Sequence, residues 1–142
     1  MSLLRSSSNA RRGAAASGLA ALGAVALLPG GAADAASSLN VKLTDFKVTP
    51  AKTSIGHGKT TLRVTNSASM EHELVVIKTS TKAAKLKLVD GKASEKGSVG
   101  EVELAGHKSK SLTLNLKKGH YALICNVGGH YMAGMHADLT VK

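Results

Sequence analysis

Apolar and polar residues alternate through Leu39-Asn40-Val41-Lys42-Leu43-Thr44, and similar short runs recur to the C-terminus. A period of two sets one face of a chain against a core and the other in water, so these runs predict strands. They cover residues 39–48, 60–66, 73–78, 111–117, 121–125 and 137–142. Turn-forming stretches separate them: Ile55-Gly56-His57-Gly58, Asp90-Gly91-Lys92, Ala105-Gly106 and Lys118-Gly119. Beyond residue 35 no helical period is sustained, apart from one short helical turn near Thr81 to Lys85. The lysine-rich segment from Lys78 to Glu101 is weakly periodic and reads as a long connection with one hairpin. Strands at this spacing predict an all-β, antiparallel Greek-key two-sheet β-sandwich.

The first 35 residues have a different pattern. Arg5, Arg11 and Arg12 precede an uncharged apolar run, Leu19 to Leu28; Pro29-Gly30-Gly31 breaks it and small residues follow. That order predicts a secretory signal peptide, with an apolar run too short to span a bilayer and cleavage after Ala35 at Ala33-Asp34-Ala35. A retained anchor is the alternative. Arg11-Arg12 leaves the twin-arginine and general secretory routes both open. Export to the periplasm, or to the cell envelope and beyond, follows. Residues 36–142 remain as one domain, since 107 residues suffice for one core and not two.

Charge and composition narrow the partners. The whole chain has 19 Lys and Arg against 9 Asp and Glu, and residues 36–142 keep 16 against 8, a net charge of +8. Such a balance favours anionic partners or an anionic membrane surface and speeds encounter with them. Nucleic acid is not expected: there is no Trp, only Phe46, Tyr121 and Tyr131 could stack on bases, and the lysines are scattered singly. The single cysteine, Cys125, cannot close an internal disulfide.

Candidate chemistry gathers in Cys125-Asn126-Val127-Gly128-Gly129-His130-Tyr131-Met132-Ala133-Gly134-Met135-His136. Cys125 ends an apolar run, His130 follows after four intervening residues, and Met135 after four more. Gly128, Gly129 and Gly134 allow the positive-φ backbone that a fold-back needs. A thiolate, an imidazole and a thioether suit copper in both oxidation states. The loop supplies one imidazole, so a second has to come from elsewhere. His72 heads strand 73–78 and so lies at one end of the sandwich. His57 and His107 sit in glycine turns beside lysines and read as solvated. His120 begins the strand that Cys125 ends, so it belongs at the opposite end. His136 reads as a rim residue or a stray ligand. Met70 and Met132 flank the candidates, either as packing or as a route for Cu(I).

The stretches Phe46-Lys47-Val48-Thr49-Pro50, Ile55 to Asn66, Met70-Glu71-His72-Glu73-Leu74-Val75-Val76 and Gly119 to Met135 together resemble the cupredoxins, the small type 1 blue copper proteins, in particular their bacterial plastocyanin- or azurin-like branch. The likeness spans essentially all of residues 36–142. It implies His72, Cys125 and His130 as equatorial copper ligands and Met135 as the weak axial one. One departure concerns the residue after the first ligand histidine, usually small and polar in that family and here Glu73. Asn126 donating to the Glu73 carboxylate would lock the two ligand segments together, and a carboxylate so placed would lower the reduction potential; Glu73 turned to solvent is the alternative, since the alternation of the strand does not settle its direction.

Two functions follow, neither of them enzymatic. The first is one-electron shuttling between redox proteins, with an acidic partner steered by lysines and docked on Val127, Met132 and Ala133 of a monomer. The second is copper acquisition, storage or delivery. A thiol enzyme would need an oxyanion site and a substrate cleft, for which the chain offers no motif. Zinc would favour more thiolates or a carboxylate over Met135.

Overall fold

The computed structural model describes residues 36–142, so the predicted signal peptide lies outside the described residues. Eleven strands follow in order: β1 (Ser37–Thr44), β2 (Lys47–Pro50), β3 (Ser54–Ile55), β4 (Gly58–Asn66), β5 (His72–Lys78), β6 (Leu88–Val89), β7 (Lys92–Ala93), β8 (Ser98–Leu104), β9 (Ser109–Leu116), β10 (Gly119–Ile124) and β11 (His136–Val141). One sheet has the order β2-β1-β4-β9 and the other β3-β11-β10-β5-β8, while β6 and β7 form a separate hairpin. Among the described residues the only helical element is a 3₁₀ turn at Ala83–Lys85, inside the segment where a helical turn was expected.

The sandwich is the predicted one, with three differences. Two pairings are parallel, β1 with β4 and β3 with β11. The chain leaves β2, runs through β3 at the edge of the other sheet, and returns to lie beside β1 in the same direction. Residues 39–48 are two strands instead of one, broken at Asp45 and at Phe46, whose φ is 62°. Finally, β8 begins within the weakly periodic segment whose pattern predicts a connection. As an edge strand it pairs only with β5 and keeps its glutamates outward, which weakens its apolar pattern.

Two cores flank the larger sheet. Leu39, Val41, Leu43, Leu62, Val64, Leu74, Val76, Tyr121, Leu123 and Leu139 fill the space between the sheets. Val75, Ile77, Ala122 and Ile124 point to the other face, where Ala83, Ala93 and Tyr131 cover them. β5 and β10 are therefore buried on both faces, which explains their nearly continuous apolar sequence. Each large aliphatic side chain so buried contributes roughly 1.5–3 kcal/mol. This double packing holds rigid the two strands whose ends carry His72 and Cys125.

Candidate metal centre

β5 begins at His72 and β10 gives way to Cys125, and the two strands are antiparallel neighbours with Ile124 opposite Val75. Continuing that register by two residues sets Asn126 opposite Glu73, so the first histidine and the cysteine emerge at the same end of the sheet. Beyond Cys125 the chain folds back. Cys125 N–H donates to Met135 O (3.0 Å), Met135 N–H to His130 O (3.1 Å) and His130 N–H to Val127 O (2.8 Å). Gly129 (φ 78°) and Gly134 (φ 114°) take the left-handed conformations this path requires; Gly128 does not. A side chain at Gly134 would also press on Phe46 O.

The fold-back gathers three soft or nitrogenous donors. His72 Nδ1 lies 3.1 Å from His130 Nδ1, and Cys125 Sγ lies 3.8 Å from the first and 3.6 Å from the second. His72 and Cys125 are fully buried and His130 half-buried. A triangle with these sides has a centre about 2.0 Å from each corner, close to the bond lengths of imidazole and thiolate to a first-row metal. Lone pairs of two nitrogens and a sulfur converge there with no oxygen ligand among them. Such a donor set fits a soft-leaning transition metal. Met135 is wholly buried and in the same core cluster as Cys125.

A family model described as copper binding proteins, plastocyanin/azurin family, matches residues 35–142. The chain belongs to this family. Its fold is similar to that of auracyanin from Roseiflexus castenholzii, at 16% identity over 75% of this chain and 98% of that one, with a TM-score of 0.58. It is also similar to auracyanin A, a blue copper protein from Chloroflexus aurantiacus, at 19% identity over 75% and 100% of the two chains and a TM-score of 0.53. Rusticyanin from Thiobacillus ferrooxidans matches at 16% identity over 75% and 78%, again with a TM-score of 0.53. Likeness at such identities shows the shared cupredoxin sandwich. No curated protein sequence matches significantly. The cofactor of this family member is one type 1 copper ion, which the nitrogen and sulfur triangle fits.

Two hydrogen bonds tie the segment of Cys125 to that of His72. Glu73 N–H donates to Cys125 Sγ (3.4 Å), and Asn126 N–H donates to Glu73 Oε1 (2.8 Å). The link between Glu73 and Asn126 thus exists, but its donor is the main chain. The Asn126 side chain is turned toward Ala93 instead. Burial pushes the Cys125 thiol up, against the pull of the Glu73 and Val127 N–H groups. Burial likewise lowers the His72 imidazole, with the neighbouring His130 adding to the effect and Asp45 opposing it. Glu73 is raised by burial, despite its bond from Asn126. A metal entering this site meets a neutral imidazole at His72 and a thiol whose proton it has to displace.

Several residues matter here that sequence reasoning did not single out. Asn66, the last residue of β4, donates to Met70 O (2.8 Å), Leu104 O and Ala105 O and accepts Ala68 N–H, shaping the loop that leads into His72. Among the described residues His72 Nε2 is the one buried side-chain nitrogen or oxygen without a hydrogen-bond partner; Asp45 Oδ1 stands 3.6 Å away. The Phe46 ring meets His130 edge-on at 6.1 Å. Met70 and Met132 are exposed rather than packed, at 42% and 60%. His57 is exposed and bonded to Lys142 O, and His107 is exposed in its turn. His136 begins β11 and tilts against Tyr131. His120 is tied to Thr79 O and Asp138. None of these four histidines belongs to the converging group.

Proposed function

We propose that this protein carries single electrons between redox proteins. Its ligands in this reading are His72 Nδ1, Cys125 Sγ and His130 Nδ1, with the Met135 thioether as weak axial donor. The observation that carries it is the nitrogen, nitrogen and sulfur triangle, whose span suits a metal that keeps three bonds of nearly constant length. Copper held there supplies a Cu(I)/Cu(II) couple. Strands buried on both faces hold His72 and Cys125, so little reorganisation accompanies a change of charge. His130 is the one half-exposed member of the trio and serves as the electron's way out. Exposed Phe46 and Met132 form an apolar rim with Val127 and Ala133, on which an acidic partner would dock after steering by lysines. In this reading the protein is a non-enzymatic monomer exported to the periplasm or cell envelope, the export resting on its N-terminal sequence pattern.

One observation favours a second reading. The exposed thioethers of Met70 and Met132 would suit receipt and release of Cu(I) by a copper handler. Titration of the protein with Cu(II), beside Cys125→Ser, tests the ligand set: an intense visible band saturating at one copper and absent from the variant is expected. Retention of that copper through repeated reduction and oxidation in the presence of a Cu(I) chelator supports the carrier. Rapid loss to the chelator supports the handler.

A further inference from the structure

The connection from β5 to β8, residues 79–97, is long for a sandwich connection and carries only a 3₁₀ turn and the two-residue strands β6 and β7. Its base is closed. Lys78 N–H donates to Gly97 O (2.8 Å), and any side chain at Gly97, where φ is 89°, would sit 2.5 Å from Lys78 O. Between these ends it crosses the outer face of β5 and β10, burying Ala83 and Ala93, with Leu86 packed against the same core. His120 and Asp138 tie down one end: Asp138 Oδ1 accepts from Ala83 N–H (2.8 Å) and lies 2.7 Å from His120 Nε2, while His120 Nδ1 lies 2.7 Å from Thr79 O.

Two side chains of the metal loop reach back to this segment. Tyr131 OH donates to Ala83 O (2.6 Å) and accepts Leu86 N–H (3.0 Å). Asn126 Oδ1 accepts Ala93 N–H (2.9 Å), and Asn126 Nδ2 donates to Ala93 O and to Glu95 Oε1, both at 2.8 Å. Each anchor adjoins a metal-site donor: Asn126 follows Cys125, and Tyr131 follows His130.

We propose that residues 79–97 are a strap that presets the donor triangle from behind, with Tyr131 and Asn126 as its positioning residues. Ordering a free backbone costs conformational entropy at every residue, so a slack loop would draw that cost from metal binding. Here the loop is pinned beside both of its nitrogen and sulfur donors by an element packed on the core. Nearly all its partners are main-chain groups, which cannot swing away as surface side chains do. The donors therefore stand in place before the metal arrives and return there after it leaves. This inference rests on the ligand set proposed above and is independent of whether the protein carries electrons or copper.

The test uses Tyr131→Phe, which removes one oxygen and leaves the ring packed, and Asn126→Ala. In the metal-free protein, amide hydrogen exchange at His130 and Met135 is expected to accelerate about tenfold or more in both variants. With Cu(II) bound, loss to a chelator is expected to be about 10–100-fold faster, the usual scale for partners of metal ligands, with a shifted charge-transfer band. A variant that only unfolds at lower denaturant, with unchanged exchange at those amides and an unchanged band, overturns the proposal. If the parent protein shows no thiolate–copper band, the ligand set fails, and exchange in the metal-free protein still decides whether the strap holds the loop.

Discussion

Strand β10 has histidine chemistry at both of its ends, and the contrast shows what turns a histidine into a ligand. At the start of the strand, His120 places one ring nitrogen 2.7 Å from Thr79 O and the other 2.7 Å from Asp138 Oδ1. Hard oxygen acceptors occupy both nitrogens, and nothing is left over for a metal. Beyond its far end, His72, Cys125 and His130 turn nitrogen and sulfur lone pairs toward one another, with no oxygen between them. Those atoms satisfy one another poorly. The first arrangement is complete as a staple between strands and strap; the second is complete only around a soft cation.

Replacing the sulfur breaks the contrast most severely. Cys125→Ser is expected to abolish the thiolate–copper band entirely, as no other thiol exists, and absorption spectroscopy reads this directly. The matching change at the other end, His120→Gln, should leave the band intact and lower unfolding free energy by about 1–3 kcal/mol through lost hydrogen bonds. A bleached His120→Gln protein that stayed equally stable would reverse the two roles. Met135→Leu keeps the three converging donors but removes the thioether proposed as a weak fourth donor, which would favour Cu(II) over Cu(I). Voltammetry should show a potential higher by on the order of 50 mV, equivalent to about 1 kcal/mol for one electron. Asp45→Asn removes a charge facing His72 Nε2 from a half-exposed position, so a smaller rise of about 20 mV is expected, on the scale of a surface ion pair.

The smallest effect concerns acid. Partial burial would raise the Asp138 carboxyl, but Ala83 N–H, His120 and Lys82 together hold it below its ordinary value. A group whose pKa is depressed by folding stabilises the protein above its unfolded value, and that contribution is lost as pH falls through the folded one. Asp138→Asn should therefore flatten the decline of stability below about pH 4 without changing the visible band. A curve unchanged in shape would remove the carboxylate from the staple.

Legibility differed between regions for reasons of physics. β1, β4, β9 and β11 could be read because one face is dry and the other wet, which writes a period of two. β8 was obscured because it is an edge strand with Glu101 and Glu103 outward and Gly100 in its middle. The break at Asp45-Phe46 was hidden too, since apolar alternation resumes directly after the turn. Near the metal, Cys125, His130 and Met135 were legible because they share one short loop whose chemistry is unusual in this chain. The direction of Glu73 was not: its carboxylate meets Asn126 N–H through a register set by β5 and β10. The strap's hold on Tyr131 and Asn126 likewise left no mark, because its partners are main-chain atoms of ordinary residues.

Sequence alone determined the strand pattern that implies a sandwich, the fold-back loop and its soft donors, because each depends on residues within one strand or a dozen positions of one another. Tertiary structure decided which atoms face which: that Nδ1 of both His72 and His130 turns toward Cys125 Sγ, that His120 is saturated, and that residues 79–97 clasp the metal loop. Such pairings join segments up to 58 positions apart. Local patterning cannot encode them, because they depend on how two strands align and on what packs behind them.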